Sequence, residues 1–294
     1  MLSAFYSSDR FGLSFELFPP KTDAGQQTLF QHVAQLAAHL PDFFTCTYGA
    51  GGSTRDRTLE IVAEVKRRFG LPVASHLTCV GATTDQLQAY LQAAAERDVD
   101  YIVALRGDPP AGQTHFAPTA GGLRYANELV ALIREQFPRF GIAVAGYPET
   151  HREAPSAAVD LENLKRKTDA GADIVITQLF YDNRDFFDFA DRCRLAGIHQ
   201  PIIPGLLPVT NLSQIQRITS LCGARLPADF VAELGRRDDE QWQFEVGVDF
   251  AVRQVRELVE RGVPGIHFYV LNKSQATIRI LEAVELPGRT MSVR

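Results

Sequence analysis

The sequence is short of everything that would mark an unusual environment. Four cysteines, Cys46, Cys79, Cys193 and Cys222, are scattered over 294 residues. They form no CxxC zinc spacing and are too few and too far apart for a dense disulfide framework, so they read as reduced thiols and no metal is expected. No apolar run is long enough to span a bilayer. The opening residues, with Ser7, Ser8 and Asp9, lack the basic start and apolar core of a secretory signal, and a cytoplasmic location is the expectation. Positive charge is not in excess either. A net charge of −5 and a pI near 5.8 argue against a nucleic-acid or anionic-membrane partner and leave a small molecule as the expected one. There is no low-complexity linker and no repeat beyond a strand–helix unit, so residues 1–294 are expected to form one domain.

What is present is an alternation of short β-rich apolar runs with longer amphipathic segments, the pattern of βα units around a parallel sheet. Strands are predicted at 13–18, 43–48, 73–78, 101–105, 142–147, 174–178, 202–206 and 266–270. About eight such strands close a (β/α)8 TIM barrel, an α/β fold that commonly fills a chain of this length. Helices are predicted at 26–38, 57–69, 84–97, 123–137, 157–170, 185–196, 212–221 and 241–261, with Gly171 and Gly197 just past two helix ends. Residues 225–240 read as an excursion between units.

In such a barrel chemistry belongs at the carboxyl ends of the strands, so polar groups there carry the functional signal. Glu16 lies in the last turn of the apolar run Leu13 to Phe18 and shares a face with Ser14 and Phe18. If that face points inward, burial should raise its pKa, as a general acid near neutral pH requires; a structural pair with an arginine is the alternative. Arg106-Gly107-Asp108 follows the fourth predicted strand, where either a ligand contact or a salt-bridged turn fits equally well. Tyr48 to Ser53 is glycine-rich and can bring backbone amides close to a ligand, but it has neither the GxGxxG nor the GxxxxGK[ST] spacing. His76, Tyr147, His151 and Gln178 lie at or just beyond other strand ends, as structural polar groups or as ligand contacts. Asp160, Asn163 and Lys167 share one helix face and Arg166 lies next to it, either as a solvated surface or as a clamp for ribose and pyrophosphate.

Several segments together resemble the methylenetetrahydrofolate reductase family in order and spacing. They are Ser14-Phe15-Glu16-Leu17-Phe18-Pro19-Pro20, Thr47-Tyr48-Gly49-Ala50, His76-Leu77-Thr78-Cys79, Leu105-Arg106-Gly107-Asp108, Tyr147-Pro148-Glu149 with His151, Asn163-Leu164-Lys165-Arg166-Lys167, Ile176-Thr177-Gln178, Pro204-Gly205-Leu206-Leu207-Pro208 and His267-Phe268-Tyr269. The resemblance covers nearly the whole chain. It implies a barrel that holds FAD noncovalently and reduces 5,10-methylenetetrahydrofolate to 5-methyltetrahydrofolate with NADH or NADPH in a ping-pong scheme. It would place Thr47, Tyr48, Ala50, His76, Arg106, Gly107, Asp108, Tyr125, Ala126, Tyr147, His151, Asp160, Asn163, Arg166 and Lys167 around FAD. Glu16 would be the acid that protonates the bridging folate nitrogen, and Asp108 would hold the pterin and favour the cationic iminium. Gln178 and Gln214 would contact substrate. Ile218 stands where some bacterial members have phenylalanine, and Lys273 where an arginine lies near the folate tail, which bears on substrate affinity. The resemblance also implies a homo-oligomer and, with the sequence stopping at Arg294, no regulatory domain for adenosylmethionine. The competing reading is another flavin barrel resembling proline dehydrogenase, in which Glu16 would have no ring nitrogen to protonate.

Overall fold

The computed structural model describes residues 2–7, 9–48, 55–109, 112 and 116–289. Strands and helices alternate: β1 (Gly12–Leu17), α1 (Asp23–Ala37), β2 (Phe43–Cys46), α2 (Arg55–Phe69), β3 (Val73–Thr78), α3 (Thr84–Glu96), β4 (Tyr101–Leu105), α4 (Ala126–Gln136), β5 (Gly141–Gly146), α5 (Ala157–Asp169), β6 (Ile174–Thr177), α6 (Asn183–Leu195), β7 (Ile202–Ile203), β8 (Gly205–Leu206), α7 (Leu212–Cys222), α8 (Ala228–Leu234), α9 (Glu240–Glu260), β9 (Gly265–Tyr269) and α10 (Gln275–Ala283). All strand pairs among the described residues are parallel, in the order β7-β6-β5-β4-β3-β2-β1-β9-β8.

The predicted seventh strand, 202–206, is broken rather than continuous. Pro204 has no N–H to give to a ladder, so β7 pairs with β6 while β8 pairs with β9, and the broken strand carries the circuit round to a nearly closed (β/α)8 barrel. The Gly205 N–H crosses back to Thr177 Oγ1 at 2.9 Å. Only glycine fits there: a Cβ would stand 2.1 Å from the Thr177 carbonyl oxygen and 2.8 Å from the Tyr269 ring.

Strand alternation then divides the side chains. Leu13, Phe15 and Leu17 of β1 point out and join the large core beneath the helices. Phe43, Ala74, Val103, Ala143, Ile174, Ile176 and Ile203 form a second apolar cluster with Leu2 and Tyr6. Leu2 and Tyr6 come from a short 3-10 helix, Leu2–Tyr6, that sequence patterning did not predict. Its Phe5 stacks on Phe43 at 6.0 Å. This helix plugs the amino-terminal end of the barrel; burying Leu2 completely contributes about 1.5–3 kcal/mol.

Two further helices lie where none is predicted. The excursion at 225–240 contains α8, held by Phe230 stacked on Phe250 of α9 at 3.9 Å. The other, α10, covers the end of the chain beyond β9. In α9, Gly247 lets the helix approach the backbone of Val209, whose carbonyl oxygen would be 1.7 Å from an added Cβ. That approach fixes the segment between β8 and α7 at the barrel's open end. No helix among the described residues is long and apolar enough to cross a membrane.

Candidate active site

At the carboxyl ends of the strands the inward positions change from apolar to polar. On β1 these positions are Ser14 and Glu16, as alternation predicts; β3 contributes His76 and β9 contributes His267 and Tyr269. Glu16 Oε2 lies 3.1 Å from His76 Nε2 and 3.6 Å from His267 Nε2. Neither ring nitrogen has an aligned hydrogen-bond partner among the described residues, and both are buried. The carboxylate side chain keeps 20% of its surface exposed, so it sits at the floor of an opening and not in the sealed core.

This neighbourhood overturns the predicted direction of Glu16's acidity. Desolvation pushes its pKa up, as argued from the apolar strand, but the two imidazoles beside it outweigh that push and bring it down to about 2. The carboxylate is ionised at neutral pH. Sequence reasoning missed the cause because His267 is 251 positions away along the chain, although its alternation with Tyr269 was a readable sign that it faces inward. No role was assigned to Ser14 or His267 from sequence, yet Ser14 Oγ lies 2.8 Å from His267 Nδ1.

A second group gathers around β4, β5 and α5. Arg106 makes two 2.8 Å hydrogen bonds to Glu153, and its guanidinium lies 5.0 Å from the centroid of Phe116. The charged neighbour in sequence, Asp108, is exposed, and its charge reaches Tyr147 and His151. Tyr147 and His151 meet edge to face at 4.6 Å. Burial lowers the His151 pKa, with Arg106 adding to the effect. Asp160 of α5 accepts from the His151 backbone N–H at 2.9 Å, while Lys167 extends beneath Tyr147 to the Ala145 carbonyl oxygen at 2.5 Å. Burial lowers the Lys167 pKa to about 8. Arg166 turns outward to Glu162 at 2.5 Å, and Asn163 is exposed. The α5 face is therefore divided: Asp160 and Lys167 face the barrel mouth and Arg166 faces away.

Tyr48 is buried and its hydroxyl donates to Thr78 Oγ1 at 3.0 Å, tying β2 to β3. Thr47 is half-buried beside it, and its carbonyl oxygen accepts from Thr58 at 2.8 Å. Gly107 has φ +88, a left-handed conformation that glycine adopts without strain. Tyr125 is exposed and precedes α4, whose first residue Ala126 is buried. Ala50 lies outside the described residues.

The third group surrounds a cavity of about 650 Å³ whose lining includes His32, Asn211, Gln214, Tyr269 and Lys273. Gln214 and Lys273 are both exposed on that lining. Ile218 packs against the satellite core of Leu207, Val209 and Phe230. Gln178, just past β6, is half-buried and its Oε1 accepts from the Leu179 N–H at 2.9 Å. Among the described residues no cluster of three or more His, Cys, Asp or Glu side chains could hold a metal ion.

The family model described as methylenetetrahydrofolate reductase matches residues 2–285. The chain is 42% identical to 5,10-methylenetetrahydrofolate reductase of Escherichia coli over 282 residues, covering 95% of this chain and 93% of that one. It is 38% identical to methylenetetrahydrofolate reductase (NADH) 1 of Zea mays over 283 residues, covering 92% of this chain but 48% of the plant protein. The chain thus spans about half the length of the plant relative. Among solved structures, a protein from Clostridium thermocellum that binds two copies of 5-methyl-5,6,7,8-tetrahydrofolic acid aligns with a TM-score of 0.64 at 15% identity, over 96% of this chain and 98% of that one. That likeness supports the fold alone.

Proposed function

We propose a function from the premise that this chain belongs to the methylenetetrahydrofolate reductase family: it reduces 5,10-methylenetetrahydrofolate to 5-methyltetrahydrofolate, with FAD as cofactor and NADH or NADPH as donor in a ping-pong sequence. The observation that carries the reading is the Glu16–His76–His267 set at the barrel mouth. The methylene bridge of this folate accepts a hydride only after one of its C–N bonds opens, and opening needs a proton at the departing nitrogen. A carboxylate at the barrel mouth, flanked by two side chains with ring N–H groups, is placed to carry that proton. Glu16 would take up a proton at the barrel mouth and deliver it to the ring nitrogen, with His76 and His267 beside it.

The side chains also suit FAD. Arg106, His151 and Lys167 bring cationic or proton-donating groups to one side of the mouth, and a buried ammonium whose pKa has fallen to about 8 favours an anion such as a pyrophosphate. Tyr147 and the Thr47 hydroxyl would offer hydrogen bonds and a ring face beside them, with the buried Tyr48 bracing the strand ends from behind. FAD would supply a hydride carrier common to both substrates. The chain's own part is to orient the rings, exclude water and move the proton. Asp108 would favour a cationic iminium electrostatically. Gln178, Gln214, Ile218 and Lys273 would contact the folate, and Gln214 and Lys273 share the cavity in which its tail would run.

A single cuvette tests the reading. The purified protein, loaded with FAD, should lose its flavin absorbance when NADH or NADPH is added without oxygen and regain it on adding methylenetetrahydrofolate. A protein that takes up no FAD, or whose reduced flavin is not reoxidised by the folate, would remove the proposal.

A further inference from the structure

Below Glu16 the barrel interior holds a column of polar groups that neither the apolar core nor the folate site explains. Ser14, Glu16, His267 and Tyr6 all point inward. Tyr6 O–H and Ser14 Oγ are 3.3 Å apart, Ser14 Oγ and His267 Nδ1 are 2.8 Å apart, and His267 Nε2 faces Glu16 Oε2 at 3.6 Å. Ser14 and His267 are fully buried. Polar atoms are expensive to bury, so a column of them inside an otherwise apolar lower barrel needs a reason. Among the described residues His267 Nε2 has no partner within normal hydrogen-bond distance, and Glu16 Oε2, at 3.6 Å, is the charged group it faces.

We infer that Ser14 and His267 form an orienting relay in which Ser14 fixes the Nε2–H tautomer of His267 and His267 aims that N–H at Glu16, making His267 a positioning residue for the proton-handling carboxylate. The hydrogen bookkeeping leads there. A neutral imidazole has one N–H and one lone pair. If Nδ1 carried the hydrogen, the Nε2 lone pair would face an anion in a buried site, which is repulsive. With Ser14 donating to Nδ1, the hydrogen falls on Nε2, where the carboxylate is. Burial raises the Tyr6 pKa well above its ordinary value, so its phenol keeps its hydrogen and donates to Ser14. The column then runs in one sense, from the plug helix through Ser14 and His267 to Glu16.

The other titratable groups facing this assembly are few. Glu16 also has His76 of β3 beside it, and its charge reaches the outward Cys46 of β2 and Tyr269 of β9. Asp42, Arg289 and Tyr101 act on Tyr6 at the far end. Of these, His76 is the only other imidazole at the carboxylate among the described residues, so the roles separate: His267 is held by Ser14 from behind, whereas His76 has no such column in the described contacts.

The inference rests on the reading of Glu16 as the proton-handling group, and the tests keep the two apart. Two-dimensional NMR of the FAD-loaded enzyme labelled with 15N-histidine reads the tautomer directly, with the His267 signal assigned by its loss in His267→Gln. An Nε2–H pattern in the wild type that becomes mixed in Ser14→Ala is expected; an Nδ1–H pattern in the wild type overturns the relay whatever Glu16 does. In stopped flow, Ser14→Ala and His267→Gln should move the pH profile of the folate half-reaction to higher pH by about one unit, the scale of one lost favourable contact to a carboxylate. Flavin reduction by nicotinamide should be unchanged in Ser14→Ala, and Ser14→Thr, which keeps the hydroxyl, should restore the profile. Unshifted profiles in both variants, or equal losses in both half-reactions, would overturn the role. If Glu16→Gln spares folate reduction, the reading of Glu16 falls, while the tautomer measurement still decides the relay.

Discussion

The two ends of the barrel each bury a carboxylate, and they satisfy it in opposite ways. At the amino-terminal end Asp42, 2% exposed, is held by Arg10 and Arg289 and accepts the Leu13 backbone N–H at 2.7 Å. Its partners are guanidiniums, which never lose their charge in the working range and present rigid forks of donors. At the carboxyl-terminal end Glu16 is held by two imidazoles whose nitrogens approach without aligned hydrogen bonds. Imidazole is the side chain that can donate from one ring nitrogen and accept at the other. One end clamps its carboxylate in rigid guanidinium forks; the other sets it between rings that can pass a proton. The same element, β1, runs between them, since Asp42 accepts the Leu13 N–H near its start and Glu16 stands one residue before its end.

The sharpest way to break this contrast is to neutralise each carboxylate in turn. Glu16→Gln should slow folate reduction by about 10²- to 10⁴-fold, the usual worth of a positioned proton donor, while leaving nicotinamide-driven flavin reduction near the wild-type rate in stopped flow. Equal loss on both sides would remove the distinction between the two ends. Asp42→Ala should do the reverse. Leaving Arg289 partly buried without its partner should cost about 3–5 kcal/mol of stability in urea titrations, with activity per folded molecule preserved. A drop in activity larger than the folded fraction explains would show that the lower end is not purely structural.

Acid titration separates the ends more gently. Glu16's folded pKa, about 2, lies below its ordinary 4.5. Its contribution to stability is therefore complete above pH 4.5 and is lost as pH falls toward 2, and it amounts to about 3 kcal/mol at most. The difference in stability between wild type and Glu16→Gln should shrink through that window; a constant difference would mean that the imidazoles do not hold the carboxylate. The smallest effect concerns Lys167. Replacing it by methionine should leave stability unchanged or slightly higher, because a desolvated ammonium is removed, but should weaken FAD binding about tenfold, equivalent to about 1.4 kcal/mol. In the wild type the affinity should fall as pH rises through about 8, where the ammonium loses its proton. Fluorescence titration with FAD should show this slope in the wild type and not in the variant.

What could be read from the sequence follows from range. Strand alternation is local, and it put Ser14 and Glu16 on one face of β1, which the fold turns inward. Most predicted βα units appear within a few residues of their observed bounds, since turn glycines such as Gly171 and Gly197, both at positive φ, mark helix ends locally. The break at Pro204 could also have been read, because a proline inside a barrel strand must forfeit a ladder bond. The plug helix, α8 and α10 were missed because each is stabilised by distant partners: Phe5 by Phe43, Phe230 by Phe250, and Ala276, Ile280 and Leu281 by the main core. Electrostatics had the longest range and was read worst. Arg106 was open to a ligand contact or a salt-bridged turn with its neighbours, and the fold gives it Glu153, 47 positions on. Glu16 looked like an acid raised by burial, but the fold gives it two imidazoles.

The pairing of β1 with β9 also has a consequence in time. Ser14 stands opposite His267 and Glu16 opposite Tyr269, so the first and last strands of the barrel meet at the proton site. During synthesis β1 can find β2 early, but it must wait for almost the whole chain before β9 exists to pair with it, and contacts of such separation are the slow ones to form. Until that seam is sewn, Glu16 has no His267 beside it. Its acidity should then lie closer to that of an ordinary glutamate, so the titration of one carboxylate becomes a clock for the last event in folding.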